Sequence, residues 1–377
     1  MRDVRVGRWS QLLVEYSLEA KKGQRVCIFG AVGAMPLIEA VYEKLLACGA
    51  YVECVLHEDK MQEILFSTAS AEQLKTPSIM KEFVAENFDL LLFIHAHGNC
   101  SALANFDPAK QVMVSGANSG FLNSVMKRSA NGDLRWCRTD FPTMTAAQRS
   151  SMGTGEYEEF AFRAGYLDEP DFIERWRTLD HQQQVAIKYL TKKKTLHFTT
   201  EAGTDLFVDV EGMIWENCSG KINFPDGEIF TGPNLSNDGG ITGVVRHCLP
   251  TVYRNVEVEG IELVFEKGVV VESKATKNEA FLKAMIDVDA GASRVGEVAF
   301  GTNYRVDRGT KDILFDEKIG GTFHIALGKG YPQTGNSNMS ALHWDIVTDL
   351  REGGKVFADD ELILENGQFL KEGWPGQ

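Results

Sequence analysis

Short apolar runs separated by amphipathic stretches fill the first half of the chain, and period-two alternation dominates the second. Arg25-Val26-Cys27-Ile28-Phe29-Gly30 predicts a buried strand. Pro36 opens a helical pattern through Leu37, Ala40, Val41, Leu45 and Leu46, which Gly49 stops. Proline at a helix start and glycine just past its end suit those positions. Tyr51 to Leu56 and Asp89 to Ile94 predict two more strands, Gln111 to Ser115 a fourth, and Pro142 to Tyr189 a mainly helical region. Strands alternating with helices predict an α/β fold around a mainly parallel sheet. After Lys194 the pattern changes to strands such as Asp205–Val210 and Glu262–Glu266, separated by glycine-rich turns, with one helix near Lys277–Val288. The expectation is an α/β N-terminal domain over residues 1–192 and a β-rich α+β domain over residues 193–377. No internal repeat or low-complexity tract is evident.

Length agrees with two domains, since 377 residues exceed one ordinary core. Hydrophobic residues make up 44% and charged residues 24%, the profile of a globular protein. No apolar run reaches the ~18–20 residues of a membrane span. The N-terminal segment lacks the apolar core and cleavage site of a signal peptide, so a cytoplasmic location is the default expectation. Net charge is 39 − 53 = −14, which opposes nucleic acid or an anionic membrane as partner. Lys192-Lys193-Lys194 reads as a solvated helix end. Seven scattered cysteines (Cys27, Cys48, Cys54, Cys100, Cys137, Cys218 and Cys248) show no Cys-x-x-Cys spacing, so neither a disulfide framework nor a thiolate zinc site is expected. Most read as small buried residues.

Gly30-Ala31-Val32-Gly33 follows the first strand but completes no nucleotide-binding pattern, so no cofactor loop is expected. His95 and His97 stand two apart at a strand end and could chelate a metal, but Gly98, Asn99, Cys100 and Ser101 follow with no carboxylate, so they read as surface or interdomain histidines. His57, His181, His197 and His247 lack partners nearby in sequence and read as structural or exposed.

The second half carries the chemistry. In His343-Trp344-Asp345, residues two apart on a strand share a face, so imidazole and carboxylate converge while Trp344 turns away. Glu228, Glu297 and His324 each interrupt an apolar, glycine-bounded strand pattern, and Glu317 precedes His324 in a turn. Burying such groups without a partner would cost several kcal/mol. Imidazoles and carboxylates gathered on short strands suit a divalent metal such as zinc, cobalt or manganese. Glu228, Glu297, Glu317 and Asp345 supply four negative charges, which two divalent cations balance, with His324 and His343 binding as neutral imidazoles.

These residues lie in four blocks that occur in order over some 120 residues. They are Asn223-Phe224-Pro225-Asp226-Gly227-Glu228-Ile229-Phe230-Thr231-Gly232-Pro233, Val295-Gly296-Glu297 with Gly301-Thr302-Asn303, His324-Ile325-Ala326-Leu327-Gly328 with Tyr331-Pro332, and Asn338-Met339-Ser340-Ala341-Leu342-His343-Trp344-Asp345. Together they resemble the M29 family of metallo-aminopeptidases, the aminopeptidase T and aminopeptidase S group. The resemblance implies that Glu228, Glu297, His324, His343 and Asp345 are metal ligands, that Glu317 is a further acidic ligand, and that Tyr331 is the active-site tyrosine. The run from Glu317 to His324 is longer than usual in the family and the stretch from Tyr331 to Asn338 shorter.

The implied activity is release of N-terminal residues from short peptides by a dinuclear centre with a bridging water. Glu297 and Tyr331 are the expected catalytic residues, Glu297 as bridging ligand and Tyr331 as oxyanion donor, with Glu228 or Glu317 as general base. The family also implies a homodimer, which leaves the N-terminal domain a structural or gating role. Two alternatives stand beside this reading. His324, His343 and Asp345 alone form the two-histidine, one-carboxylate set of a non-haem iron ring-cleaving dioxygenase, an activity known from an M29-like branch. A non-catalytic peptide- or metal-binding protein is the other.

Overall fold

The computed structural model describes residues 3–99, 102 and 106–377. Cys100 and Ser101, which follow the His95/His97 pair, lie outside the described residues. Contacts divide the chain into two compact units: residues up to Ile173 with Gly220–Phe224, and Glu174–Ser219 with Pro225–Gln377.

The first unit contains a five-stranded sheet in the order Tyr51–His57, Arg25–Ala31, Leu90–His95, Arg135–Asp140, Asn223–Phe224, with every pair parallel. Cys27, Phe29, Leu91, Phe121, Val125 and Leu134 share one core cluster of this unit. The helix expected after the first strand spans Met35–Ala47, with Pro36 in its first turn. The region read as helical holds Met144–Arg149, Thr154–Ala164 and Phe172–Leu190.

The expected strand at Gln111–Ser115 is corrected. Those residues lie inside the helix Pro108–Ala130, which Asp107 caps by accepting from the Ala109 N–H. A run as short as Val112-Met113-Val114 cannot separate strand from helix by periodicity. Val112 is 71% exposed, and the buried positions of the helix are Phe121 and Val125, one turn apart. The fourth strand is instead Arg135–Asp140, whose polar sequence hid it.

The second unit is β-rich. Its eight-stranded sheet runs Val269–Lys274, Glu262–Glu266, Ile241–Arg246, Asp205–Asp209, Thr195–Thr199, Lys355–Ala358, Glu361–Glu365, Gln368–Phe369. A five-stranded antiparallel sheet runs His343–Asp349, Thr322–Gly328, Val295–Gly301, Glu228–Thr231, Glu216–Cys218. The two sheets share one core, in which Phe198 of the larger stacks on Phe323 of the smaller at 4.2 Å between ring centroids. The expected helix near Lys277–Val288 spans Glu279–Ile286. The pattern change after residue 192 follows the end of helix Phe172–Leu190, whose Ala186 and Leu190 belong to this second core.

Candidate metal centre

Alternation along the five-stranded sheet sorts its side chains. Ile229, Val298, Phe300, Phe323, Ile325, Leu327, Trp344 and Ile346 enter the core on one face. Directly opposed residues point to the same side of a sheet. The register pairs Glu297 with Ala326 and Ala326 with Asp345, and in the next rows His324 with Ala299 and Gly328 with His343. Glu228 lies opposite Gly301 on the neighbouring strand. The other face therefore gathers Glu228, Glu297, His324, His343 and Asp345, and alanine or glycine fills the intervening places and leaves them room. Trp344 turns into the core as expected, where its Nε1–H donates to Thr251 Oγ1 at 3.1 Å.

The functional atoms are close. His324 Nε2 lies 3.5 Å from Glu228 Oε2 and 3.4 Å from Glu297 Oε1. His343 Nε2 lies 3.7 Å from Glu297 Oε2 and 3.5 Å from Asp345 Oδ1. Glu297 thus aims one oxygen at each imidazole. Among the groups of potential ligand atoms within ion-binding reach of one another are Glu228, Glu317 and His324; Glu297, His324 and Asp345; and Cys218, Asp226 and Glu228. His343 Nδ1–H donates to the Lys329 carbonyl at 2.8 Å, which fixes the tautomer that leaves Nε2 free to ligate.

Burial pushes the Glu228 and Glu297 carboxyls above the usual range. Burial, reinforced by Glu228 and Asp345 and opposed by Lys318, brings Glu317 up to about 7. Burial alone would lower His324, but Glu297, Glu228 and Asp345 raise it to about 9. His343 is raised by Asp345 and Glu297, likewise against its burial. Among the buried side-chain atoms without a hydrogen-bond partner are Glu228 Oε2 and both ring nitrogens of His324. Desolvated carboxylates and unpartnered imidazole nitrogens facing one another form a donor set that fits divalent cations.

Neighbouring segments hold this set in place. Gln183 Nε2–H, from helix Phe172–Leu190, donates to the carbonyls of Glu228 and Cys218. Gly227 adopts φ +123°, and a Cβ there would stand 2.6 Å from Asn303 Cβ; Asn303 in turn donates to the Asp226 carbonyl. The loop between Gly328 and His343 hangs on two buried asparagines. Asn336 donates to the Pro233 and Val295 carbonyls, and Asn338 to those of Gly291 and Gly328. That loop carries Tyr331, whose ring lies 5.3 Å from that of His343 and 5.2 Å from that of Phe230. Tyr331 is 36% exposed, and partial burial together with Glu297 and Asp345 raises its hydroxyl above the ordinary value.

The sequence reading missed two charged members of the cluster, Lys318 and Asp226. Lys318 is fully buried, with Nζ 2.6 Å from Glu228 Oε1, 2.5 Å from Glu317 Oε1 and 3.4 Å from Asp226 Oδ1. Burial works against its charge, but Glu228, Glu317 and Asp226 hold the ammonium well above its usual value. The only sequence signal is a lysine beside a candidate ligand, which elsewhere marks a solvated turn. Asp316, next in line, accepts from Thr310 and Lys311 and serves the turn itself.

Several other expectations need correction. His97 does face a carboxylate: its Nε2 lies 3.4 Å from Asp140 Oδ2, on the adjacent strand and so invisible to local sequence. Arg138 also pairs with Asp140. His197 contacts Asp205 at 2.7 Å, and buried His247 contacts Thr348 Oγ1 at 2.7 Å, so neither lacks a partner. Of the described cysteines only Cys27 and Cys137 are buried, Cys54 and Cys248 are exposed, and all six are free thiols. Lys193 and Lys194 pair with Glu361 and Glu211. Among the described residues no helix is long and apolar enough to cross a membrane.

Comparison with known proteins agrees with this geometry. The chain is 28% identical over 349 residues to aminopeptidase T of Thermus thermophilus, covering 86% of this chain and 84% of that protein. It is 27% identical over 353 residues to aminopeptidase 2 of Geobacillus stearothermophilus, covering 86% and 83%. The fold superposes on wild-type AmpT from Thermus thermophilus with TM-score 0.85 and 24% identity, over 98% of this chain and 99% of the other. A 2,5-dihydroxypyridine dioxygenase from Pseudomonas putida KT2440 shares the fold more distantly, with TM-score 0.60 and 13% identity over 98% of each chain. The profile of the M29 family, described as thermophilic metalloprotease, matches residues 2–369. With nearly its whole length matched, the chain belongs to the M29 family of metalloproteases.

Proposed function

We propose that this protein is a metal-dependent aminopeptidase that removes single N-terminal residues from short peptides. One observation carries the reading: buried Glu297 directs its two oxygens to two different imidazoles. That placement suits a carboxylate bridging two cation positions, one faced by Glu228, Glu317 and His324, the other by His343 and Asp345. The charge count also holds, because Asp226 and Lys318 add one charge of each sign to a set already balanced by two divalent ions. Zinc, cobalt or manganese bound there would lower the pKa of a water and polarise the scissile carbonyl. Glu228 or Glu317 serves as general base. All six proposed ligands lie in the second unit. We assign the first unit, residues up to Ile173 with Gly220–Phe224, a structural or gating role in a cytoplasmic homodimer.

The fold alone does not choose between peptidase and dioxygenase, since both kinds of relative share it. Family membership favours the peptidase, as does Glu297 between the imidazoles, a carboxylate for which the set His324, His343 and Asp345 has no use.

The purified protein should release N-terminal residues from di- and tripeptides, lose that activity to a chelator, and regain it with divalent metal. Full turnover after metal removal verified by elemental analysis would overturn the reading. Oxygen uptake with a dihydroxypyridine would establish the dioxygenase instead. Light scattering should give twice the chain mass, and a monomer would remove the dimer from the proposal.

Tyr331→Phe should lower the turnover number about 10²–10³-fold, the usual cost of losing one oxyanion donor, with metal content unchanged. A drop under about threefold, set against that expectation, would make Tyr331 a packing residue beside Phe230.

A further inference from the structure

The two halves of the candidate centre are built differently, although Asp226 balances Lys318 in charge. On the side of Glu228 and Glu317 the Lys318 ammonium already lies against one oxygen of each carboxylate. Glu228 is left with Oε2, which faces His324 and has no hydrogen bond. On the other side, Glu297 and Asp345 have only imidazoles within ion-pair distance; among the described residues no lysine or arginine reaches either. A buried ammonium is costly unless carboxylates surround it, and its charge opposes a second cation at the oxygens it already contacts. Water cannot screen that repulsion, because Lys318 is fully buried and Glu228 nearly so.

We infer that Lys318 is a built-in cation that makes the two metal positions unequal. The position faced by Glu297, His343 and Asp345 binds its divalent ion tightly. The position faced by Glu228, Glu317 and His324 binds weakly, because an ammonium there already takes one oxygen of each carboxylate. Lys318 is thus a positioning residue, which also allows Asp226, Glu228 and Glu317 to be buried together before any metal arrives. The inference rests on the metal centre proposed above.

The test is metal stoichiometry rather than turnover. Metal-stripped full-length protein is titrated with Zn²⁺ or Mn²⁺ by calorimetry, and ions retained after gel filtration are counted by elemental analysis. The wild type should retain one ion per chain and bind a second at least ~10-fold more weakly, a modest outcome for a like charge within a few ångströms. Lys318→Met and Lys318→Gln, which remove the charge, should bring the two affinities together and retain two ions. Should neither variant fold, the wild-type titration decides by itself. Two ions held with equal affinity by the wild type would overturn the inference, as would folded Lys318 variants that keep one tight and one weak site. Absence of any stoichiometric ion in the wild type would overturn the metal centre itself, a separate outcome.

Discussion

Glu297→Gln is expected to cut the turnover number at least ~10²-fold while leaving the fold intact. Glu297 is buried on the strand Val295–Gly301, and each of its oxygens faces the Nε2 of a different histidine. The amide keeps the volume but replaces one acceptor with an N–H₂ group aimed at an imidazole that is meant to ligate. Replacing groups that set a metal's surroundings commonly costs 10–100-fold in affinity or activity, and a bridging carboxylate serves two positions at once, so ~10²-fold is a lower bound. Stability should not fall in the metal-free protein, because burial disfavours the Glu297 charge and pushes its carboxyl up. The measurement pairs turnover on a tripeptide with metal content and thermal midpoint. Wild-type turnover with full metal content would remove Glu297 from the centre. Lost turnover with a collapsed midpoint would make it a folding residue instead.

Much of this candidate centre was legible in the sequence because its proposed ligands break apolar strands. A carboxylate or imidazole between Val, Ile, Ala and Phe must be buried, and strand alternation says which ones converge. That logic placed His343 beside Asp345 and Trp344 opposite them, and the register across three strands gives the same arrangement. The β-rich second half and the parallel first sheet were legible for the same reason: period two and strand–helix alternation survive in the local pattern.

The remainder depends on contacts that no local pattern carries. Lys318 was invisible because its meaning comes from Asp226 and Glu228, some ninety residues earlier in the chain. His97 was misread because Asp140 sits on a neighbouring strand. The asparagines Asn336 and Asn338 carry no local signal of their role, yet their amides tie the Tyr331 loop to four separate carbonyls. The helix at Pro108–Ala130 failed differently: Val112 faces outward and Met113 and Val114 are only half-buried, so the short apolar run there marks no buried strand.

Gly296→Ala should be among the most damaging single substitutions in the second unit, although Gly296 bears no functional group. In a regular strand Val295 and Glu297, two residues apart, would share a face. Here Val295 enters the core and Glu297 faces the metal centre. Gly296 is the extra residue that permits this, since the pairing passes from Val295 with Leu327 directly to Glu297 with Ala326. Such a bulge re-aims the side chain that follows it. A Cβ on Gly296 would lie 2.3 Å from the Lys329 oxygen and 2.5 Å from the Gly328 oxygen, both backbone atoms that no side-chain rotation can clear. Those two carbonyls also accept from His343 Nδ1–H and from Asn338, so relief of the clash must shift His343 and the loop behind it. Overpacking of this kind costs about 1–3 kcal/mol or more. Metal retention should fall along with the urea midpoint. Gly155→Ala is the control: its added Cβ meets nothing within 4 Å, and it lies in the helix Thr154–Ala164, where alanine is preferred to glycine. A Gly296→Ala protein with wild-type midpoint and full metal content would show that the bulge does not aim Glu297, and the assignment of that carboxylate as the bridge between two positions would fail with it.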